Sequence, residues 1–449
     1  MPLESEEERR WAYFLPGQEI PDEAVELAPS SVREWKILDP AVGSGHFLVV
    51  ALGLLLALFQ EEARHRGLQD AHEWSDRAVV EHLLAHTLHG IDIDPRAVQI
   101  AAASLWLKGK VLSPEIEPEQ LNLVAPNLRL ADLPDDDPAL VELRSDIEAE
   151  TGIAGKFTTQ ILQALKGADH LGSLLKIDQA VDAAIEQQER HLKAVQAKVL
   201  QVQADLFGGA PPIQAKIDFS TAAARSDLQD LLEQFLSAHS NANDLGLRID
   251  GAQLATGVRF ARTLKENTFD LIISNPPYQD IGRIQCGEYF GSCYAIGDAE
   301  QKANPNLYSA FLLRGIDLCK KGGLCTLLTM RGWMFSWEFM RLREHLFEKH
   351  GLALVGDFDK GAFREILDEV VAVAASAFWK STKIEIGKAI YPTPRGDSSR
   401  DSDRTNRKES GTLCHEGVIA YSHFDLKGIP EWPLVYWWPP NFVASYLQA

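Results

Sequence analysis

A short apolar strand, a glycine turn and a long apolar helix follow one another near the start of this chain. The strand at residues 35–40 ends in Asp39 and Pro40, the turn at 41–45 carries two glycines, and a helical pattern runs over 46–64. This order is that of a βα unit, in which a buried strand leads through a tight turn into a covering helix. The chain is therefore predicted to fold around an α/β sheet.

Strands and helices continue to alternate along the chain. A second strand is predicted at 87–91, a helix with proline in its first turn at 95–108, and a third strand at 127–130. After a long helical stretch, another buried strand is predicted at 269–274. Alternation at this spacing is typical of a parallel sheet.

Charge and cysteine content limit the classes of partner and compartment. The 449 residues carry a formal charge of −20, so nucleic-acid binding has to be argued from a site rather than from overall charge. Five cysteines without a C-x-x-C pair indicate neither a disulfide framework nor a metal site. The longest apolar run, at 47–59, is too short for a membrane span, and no basic signal region follows Met1. We expect a cytoplasmic protein without membrane contact.

Residues after the strands indicate the ligand, because open parallel sheets bind ligands at the carboxyl ends of their strands. Gly43 and Gly45 allow a tight turn and a close approach of a ligand to the backbone. A dinucleotide fingerprint would need a third glycine where Leu48 stands, and no phosphate-binding G-x-x-x-x-G-K-[ST] segment occurs. Asp92 follows the second strand, where an acid can bind the ribose of an adenosine cofactor. The pattern favours S-adenosylmethionine.

The segment Asn275-Pro276-Pro277-Tyr278 follows the strand at 269–274. The exocyclic amine of adenine is a poor nucleophile because its lone pair is delocalised into the ring. The Asn275 side-chain oxygen and the Pro276 carbonyl can accept both amine hydrogens and so localise the lone pair on nitrogen. The prolines restrict the backbone so that this carbonyl points inward, and Tyr278 offers a ring on which a base flipped out of the duplex can stack. The motif predicts methylation of an adenine amine.

These motifs, in this order, resemble those of the amino-methyltransferases that modify adenine N6 in DNA. The residues at 45–49, 89–97 and 429–438, with the helical stretch before Asn275, are similar to the PglX-type methyltransferases of BREX phage-defence systems. Those belong with the large type IIG-like, Eco57I-like enzymes. The resemblance covers residues 35–449. It implies a Rossmann-like S-adenosylmethionine-dependent methyltransferase with a mostly parallel seven-stranded sheet and a helical insertion.

The resemblance also implies activity and partners. The activity would be that of a site-specific adenine DNA methyltransferase, EC 2.1.1.72. Its substrate would be double-stranded DNA with a flipped adenine, and other defence-system proteins would be further partners.

Individual residues receive roles from the same resemblance. The loop that begins at Asp39 would hold the methionine part of the cofactor, Asp92 would bind the ribose, and Asp132 would meet the amine of the cofactor's adenine. Phe363 would be a second aromatic ring against the flipped base, and Val42 stands where the family usually has cysteine. The cofactor residues of the loop are Asp39, Pro40, Ala41, Gly43 and Gly45. The catalytic residues are Asn275, Pro276, Pro277 and Tyr278.

Composition and motifs together divide the chain into five segments. Proline-broken polar sequence comes first, alanine- and glutamine-rich helical sequence interrupts the α/β pattern, and a Ser-, Arg- and Asp-rich stretch follows it. The predicted segments are a lead-in (1–34), the first, cofactor-binding part of the methyltransferase core (35–133), a helical insertion (134–246), the second, catalytic part of the core (247–391), and an exposed loop with the start of a truncated target-recognition region (392–449).

Two departures from the family pattern leave alternatives open. Residues 1–34 contain no match to the Tyr-Thr-Pro or Phe-Thr-Pro segment that contacts the cofactor in relatives, and relatives continue into a target-recognition domain after a tail like 429–438. We therefore expect a piece of a longer enzyme. No PD-…-(D/E)-x-K nuclease pattern is visible, which weighs against restriction activity. The alternatives are a DNA- or partner-binding fragment without activity and a protein-glutamine N5-methyltransferase, because an amide nitrogen poses the same lone-pair problem.

Overall fold

The described residues of the computed structural model belong to two compact units. One unit comprises Met1–Leu123 and Glu266–Ala449, and the other comprises Val124–Lys265. The residues that the structure describes are 15, 20–126, 134, 136–158, 161, 168–206, 223–225, 227–228, 230–232, 260, 262–280, 287–296, 306–363, 371–393 and 403–448.

The first unit is built around one mixed sheet. Its described strands are β1 (Ile37–Asp39), β2 (Leu88–Ile91), β3 (Asn122–Val124), β4 (Phe269–Ser274), β5 (Cys319–Met330), β6 (Gly351–Lys360), β7 (Ala372–Trp379), β8 (Ile386–Ile390) and β9 (Val418–Ser422). Their order across the sheet is β3-β2-β1-β4-β5-β7-β6-β8-β9. Strands β2, β1, β4 and β5 run parallel to one another. Strand β7 is antiparallel to both β5 and β6, and β9 is antiparallel to β8.

Helices connect the strands and cover the sheet. The described α-helices are α1 (Asp22–Leu27), α2 (His46–Arg66), α3 (Asp76–His82), α4 (Pro95–Leu112), α5 (Pro138–Thr151), α6 (Ala168–Leu171), α7 (Ile177–Leu206), α8 (Gly287–Cys293), α9 (Leu307–Leu318), α10 (Met340–Lys349), α11 (Arg404–Leu413), α12 (His423–Lys427) and α13 (Pro440–Gln448).

Helix α2 packs against β1 and α4 through leucines at helical spacing. Leu48, Leu52 and Phe59 are fully buried in a core that also contains Ile37 and Leu105. By length and composition, α2 is long and apolar enough to cross a membrane, the one such helix among the described residues. The buried helix of a globular core meets the same criterion, and α2 lies in such a core.

The prediction of a seven-stranded, mostly parallel sheet is wrong in strand number and in strand direction, since nine described strands form a mixed sheet. One of the two additional strands, β9, has a physical reason to escape sequence patterns. In β9 only Tyr421 is buried, whereas the apolar residues Val418 and Ala420 are exposed, so no alternation of apolar and polar residues marks a buried face. Strand β9 is held instead by backbone pairing to β8.

The predicted exposed loop is also wrong over Arg404–Leu413, which is helix α11. Its composition is polar, yet Arg404 and Lys408 are buried. The Lys408 Nζ donates to the Phe358 carbonyl oxygen and, at 2.7 Å, to Thr393 Oγ1. Because a lysine can bury its stem and satisfy its ammonium on backbone oxygens, polarity alone did not indicate this helix. The third strand predicted at 127–130 lies outside the described residues, whereas β3 precedes it.

Helices form most of the described part of the second unit. Helix α7 packs on the turn that follows α5 through a buried glutamine. The Gln188 amide donates to Gly152 O at 2.8 Å and accepts from Ala154 N at 3.2 Å. This unit overlaps the predicted insertion at 134–246, whose boundaries stay a prediction.

Candidate active site

The carboxyl ends of four neighbouring parallel strands meet at one edge of the sheet. In the order β2-β1-β4-β5, the end of β1 lies between the end of β2, which leads to Asp92, and the end of β4, which leads to Asn275. Strand order thus brings together motifs that are far apart in sequence, at the position where such sheets bind ligands.

The glycine loop between β1 and α2 needs glycine for two different reasons. Gly43 and Gly45 have φ angles of +51° and +84°, a region that other residues rarely adopt. A Cβ on Gly45 would lie 3.1 Å from Cα and Cβ of Ala101, because α4 passes directly beside the loop. A Cβ on Gly43 would meet no atom within 4 Å, so open space adjoins the backbone there. The loop is tied to β2 by the Val42 N–H, which donates to Ile91 O at 2.9 Å.

Asp92 holds this loop with its carboxylate. Its Oδ2 accepts from Gly43 N at 2.9 Å, and its Oδ1 accepts from Asp94 N at 3.0 Å. The side chain is only partly buried, and an ionised carboxylate has about four acceptor positions, so it can bind a further hydroxyl. Asp94 has a different role, because its Oδ1 accepts from Arg96 N at 2.9 Å and caps α4.

Asp39 lies beneath the loop rather than on its surface. The residue is 1% exposed, and its Oδ1 accepts from Ser274 Oγ at 2.6 Å and from Ala41 N at 3.1 Å. Burial raises the pKa of Asp39 to about 7, although both hydrogen bonds lower it, and the nearby charge of Asp92 adds to the rise. The structure therefore places Asp39 as a buried support, with Pro40 and Ala41 leading from it into the loop.

The Asn275-Pro276-Pro277-Tyr278 segment presents its amide at the same edge. Asn275 and Pro277 are exposed, Pro276 is buried and Tyr278 is partly buried. The Tyr278 hydroxyl donates to Asn275 Oδ1 at 2.6 Å and lies 3.2 Å from Leu328 O. Burial raises the pKa of this hydroxyl, which keeps it protonated as a donor. The hydroxyl thereby orients the amide and leaves Oδ1 room for a second hydrogen bond.

Packed aromatic rings fix the position of Tyr278. The Tyr308 ring meets it edge-on with centroids 6.3 Å apart, and Phe339 supports Tyr308 at 5.8 Å. The backbone that follows Tyr278 is restrained as well, because Leu307 N donates to Gln279 O at 2.8 Å. The first residue of helix α9 is thus joined to the residue directly after the Asn-Pro-Pro-Tyr segment.

One predicted site residue that the structure describes, Phe363, is not joined to this cluster. Phe363 lies three residues beyond β6, at the same edge, but β5 and β7 separate β6 from β4. With neighbouring strands about 4.8 Å apart, the ends of β4 and β6 are about 14 Å from each other. Asp132 lies outside the described residues.

Sequence reasoning missed two features of this edge. Ser274 belongs to no motif, and the only signal for it was its place directly before Asn275. The second feature is an ion-pair cluster between Arg331, which directly follows β5, and the last residues of β6. Arg331 donates to Asp357 Oδ2 at 2.7 Å and to Asp359 Oδ1 at 2.8 Å. The Tyr436 hydroxyl also donates to Asp357 Oδ2, at 2.8 Å. Its members come from three separate segments, so no local pattern indicates it.

A glycine loop after β1, an acid after β2 and Asn-Pro-Pro-Tyr after β4 define an α/β methyltransferase fold. The model of the family described as Eco57I restriction-modification methylase matches residues 86–363, and this chain belongs to that family. The model of the MmeI DNA-methyltransferase domain matches residues 21–133. The family resemblance inferred from the motifs is confirmed.

Curated relatives align with nearly the whole chain. The adenine-specific methyltransferase BrxX of Escherichia coli O9:H4 (strain HS) is 23% identical over 97% of this chain and 32% of its own length. The adenine-specific methyltransferase PglX of Lacticaseibacillus casei (strain Zhang) is 22% identical over 95% of this chain and 30% of its own length. The chain thus spans about a third of the length of these relatives.

Solved structures of restriction-modification proteins are similar at low identity. A modification subunit of a putative type I restriction enzyme from Vibrio vulnificus YJ016 has 13% identity and a TM-score of 0.39, with 93% of this chain and 57% of that chain covered. The DrdV–DNA complex has 12% identity and a TM-score of 0.44, with 90% of this chain and 28% of that chain covered.

Proposed function

We propose that this chain carries the methyl-transferring core of an S-adenosylmethionine-dependent enzyme that methylates N6 of adenine in DNA. One observation carries the proposal: Asn275 Oδ1 is presented at the carboxyl edge of β4, oriented by the Tyr278 hydroxyl 2.6 Å away. An oriented amide oxygen followed by a proline carbonyl is what the amine of adenine requires.

The residues around the glycine loop fit the cofactor. Open space adjoins Gly43, where a side chain would otherwise stand, and the carboxylate of Asp92 is held beside it. Asp92 would bind the ribose hydroxyls, and the backbone from Asp39 to Gly45 would hold the methionine part. Asp132 is proposed for the cofactor's adenine from the family resemblance alone.

The cofactor, when bound, supplies an electrophilic methyl group on a sulfonium sulfur. The protein's own contribution is at the amine. Asn275 Oδ1 and Pro276 O would accept hydrogen bonds from its two N–H groups. These bonds would localise the lone pair on the nitrogen and orient it toward the methyl group. Pro277 restricts the backbone that carries the Pro276 carbonyl, so the second acceptor is set in place before the base arrives.

Tyr278 would hold the flipped base as well as the amide. Its ring is backed by Tyr308, so a base stacked on it meets a rigid surface. Phe363 is proposed as a second ring on the other side of the base. From a loop about two strand widths beyond β5, it would have to reach toward Tyr278 when DNA binds.

The relatives support the wider assignment. Two of them are named adenine-specific methyltransferases, and the family consists of restriction-modification methylases. We propose a role in a BREX or restriction-modification phage-defence system in the cytoplasm, with double-stranded DNA and other defence proteins as partners. The reaction would be EC 2.1.1.72. Because this chain spans about a third of those relatives, the DNA sequence to be modified would be read largely by other segments.

Methyl transfer from labelled S-adenosylmethionine to DNA without N6-methyladenine tests the proposal. The wild-type protein is expected to label DNA, with N6-methyladenine as the product identified by mass spectrometry. Asn275→Ala is expected to lose at least about 100-fold in kcat, the scale of removing one preorganised hydrogen-bonding group. Asn441→Ala, which changes an exposed asparagine of α13, is the matched control and is expected to keep wild-type activity.

Parallel reactions separate the alternatives. Label on a glutamine-containing protein substrate and none on DNA would favour glutamine methylation. Cofactor or DNA binding without transfer to either substrate would identify a binding fragment and end the catalytic proposal for this chain.

A further inference from the structure

A buried side-chain hydrogen bond joins the two strands that carry the glycine loop and the catalytic segment. Ser274, the last residue of β4, donates from Oγ to Asp39 Oδ1 at 2.6 Å. Asp39 is the last residue of β1, and the two residues are 0% and 1% exposed. The bond therefore lies in the interior beneath the site, out of reach of a ligand.

This bond acts where the sheet no longer holds the two strands together. The backbone register between β1 and β4 pairs Ile37 with Leu271 and Leu38 with Ile272. Asp39 and Ser274 lie beyond those pairs, at the point where both strands lead into loops. The side-chain hydrogen bond thus restrains the two strands beyond the last backbone pair, closer to the site.

The same carboxylate oxygen organises both loops at once. Asp39 Oδ1 accepts from Ala41 N at 3.1 Å, in the first turn of the glycine loop, as well as from Ser274 Oγ. Ser274 in turn directly precedes Asn275. A single buried atom therefore links the backbone that would face the cofactor to the residue that would face the base.

A second buried serine in the same sheet has no such bond and serves as a comparison. Ser376 in β7 is 1% exposed, and its Oγ has no hydrogen-bond partner in the part of the chain that the structure describes. Burying a hydroxyl and a carboxyl has a cost that an apolar pair would avoid. Beneath the proposed site, the Ser274–Asp39 bond offsets this cost by fixing the positions of the two strand ends.

We propose that Ser274 is a positioning residue that holds Asn275 and the Pro276 carbonyl in register with the glycine loop. The proposal rests on the proposed function. Without the bond, the end of β4 can shift relative to β1, which misaligns the amine acceptors with the methyl donor. Cofactor affinity depends on residues of β1, β2 and the glycine loop, so it changes little.

Ser274→Ala and its matched control Ser376→Ala test this. The measurements are kcat and KM for DNA methylation at saturating cofactor, the cofactor Kd by calorimetry, and Tm. For Ser274→Ala we expect kcat to fall about 10- to 100-fold, as misplacement by a fraction of an ångström to about 1 Å produces. Its cofactor Kd is expected to stay within about threefold of the wild-type value, a small change in binding free energy. Ser376→Ala is expected to match the wild type, and Ser274→Thr, which keeps a hydroxyl, to recover most of the lost kcat.

Each other outcome has a defined meaning. Wild-type kcat in Ser274→Ala overturns the proposal, and so does a cofactor Kd that rises in step with the loss of kcat. If Ser274→Ala fails to fold, Ser274→Cys, whose thiol is a weak donor, is compared with Ser376→Cys by the same criteria. A wild-type protein that transfers no methyl group to DNA overturns the proposed function and this proposal together. An active wild type with unaffected Ser274 variants overturns the positioning role only.

Discussion

Two buried aspartates lie near the carboxyl ends of strands at the same edge of the sheet, and they have different partners. Asp357 in β6 is 0% exposed and is paired with the guanidinium of Arg331 at 2.7 Å and the hydroxyl of Tyr436 at 2.8 Å. Asp39 in β1 is 1% exposed and accepts from a serine hydroxyl and a backbone N–H. No cation among the described residues pairs with Asp39. Burial raises the pKa of both groups, and that of Asp39 reaches about 7.

This difference distinguishes a structural ion pair from the proposed site along one sheet edge. At β6, an ion pair neutralises the buried acid and anchors the tail that carries Tyr436. At β1, no cation in the described part of the chain pairs with the acid, which lies beneath the loop proposed to hold the cofactor. A raised pKa does not distinguish the two acids, but a buried acid without a neutralising cation is a better candidate for a functional group than one in a structural ion pair. The comparison favours a site at β1 and β4 rather than at β5 and β6.

The largest expected effect is on the pH dependence of stability. The pKa of Asp39 is about 7 in the folded chain against 3.8 for the free side chain, so the folded state binds more protons between those pH values. Stability contributed by this group is therefore lost as pH rises from about 4 to 7 and stays lost above it. Asp39→Asn removes this loss and is expected to be more stable than the wild type at about pH 8.5, by up to about 4 kcal/mol.

Urea unfolding of both proteins at about pH 5 and about pH 8.5 measures this difference. The difference between variant and wild type is the quantity to compare, because His89 and His350, with pKa values lowered to about 4 by burial, impose the opposite trend on both proteins. A difference that does not grow with pH would show that Asp39 is ionised at little cost.

Breaking the ion pair at β6 is expected to have the next largest effect. Arg331→Ala leaves Asp357 buried without its cation and is expected to cost about 3 kcal/mol of unfolding free energy. Adding Asp357→Asn to this variant removes the uncompensated charge and is expected to restore more than half of the loss. Thermal and urea unfolding measure both. If the single and double variants are equally unstable, the guanidinium acts through packing and not through charge.

The smallest effect is expected on cofactor binding. Asp92→Ala removes the carboxylate that would bind the ribose, which is expected to raise the cofactor Kd at least about tenfold, as for loss of a charge-assisted hydrogen bond. Asp94→Ala is the matched control, because that carboxylate caps α4 and pairs with Arg96. Calorimetry with S-adenosylmethionine separates the two. An unchanged Kd in Asp92→Ala would place the cofactor elsewhere.

Local patterns predicted the strands that lie around the site. The strand before Asp39, the helix from His46 and the strand before Asn275 were all indicated by apolar runs ended by glycine or proline. Strands β8 and β9 were not, because both are only five residues long and lie toward the sheet's edge, and β9 has a single buried residue. Helix α11 was missed for a related reason: its buried side chains are an arginine and a lysine, which sequence patterns assign to the surface.

The sequence by itself determined which chemistry this chain can carry. Glycines at 43 and 45, an acid at 92 and Asn-Pro-Pro-Tyr at 275–278 are recognisable because each has a local role that few other residues can fill. Only the tertiary structure decided that Ser274 and Asp39, which are 235 positions apart, share a buried hydrogen bond, and that Tyr278 orients Asn275. Strand order and side-chain direction create these contacts, and neither leaves a local trace in sequence, since a serine before a loop has the same pattern whether or not a carboxylate lies beside it.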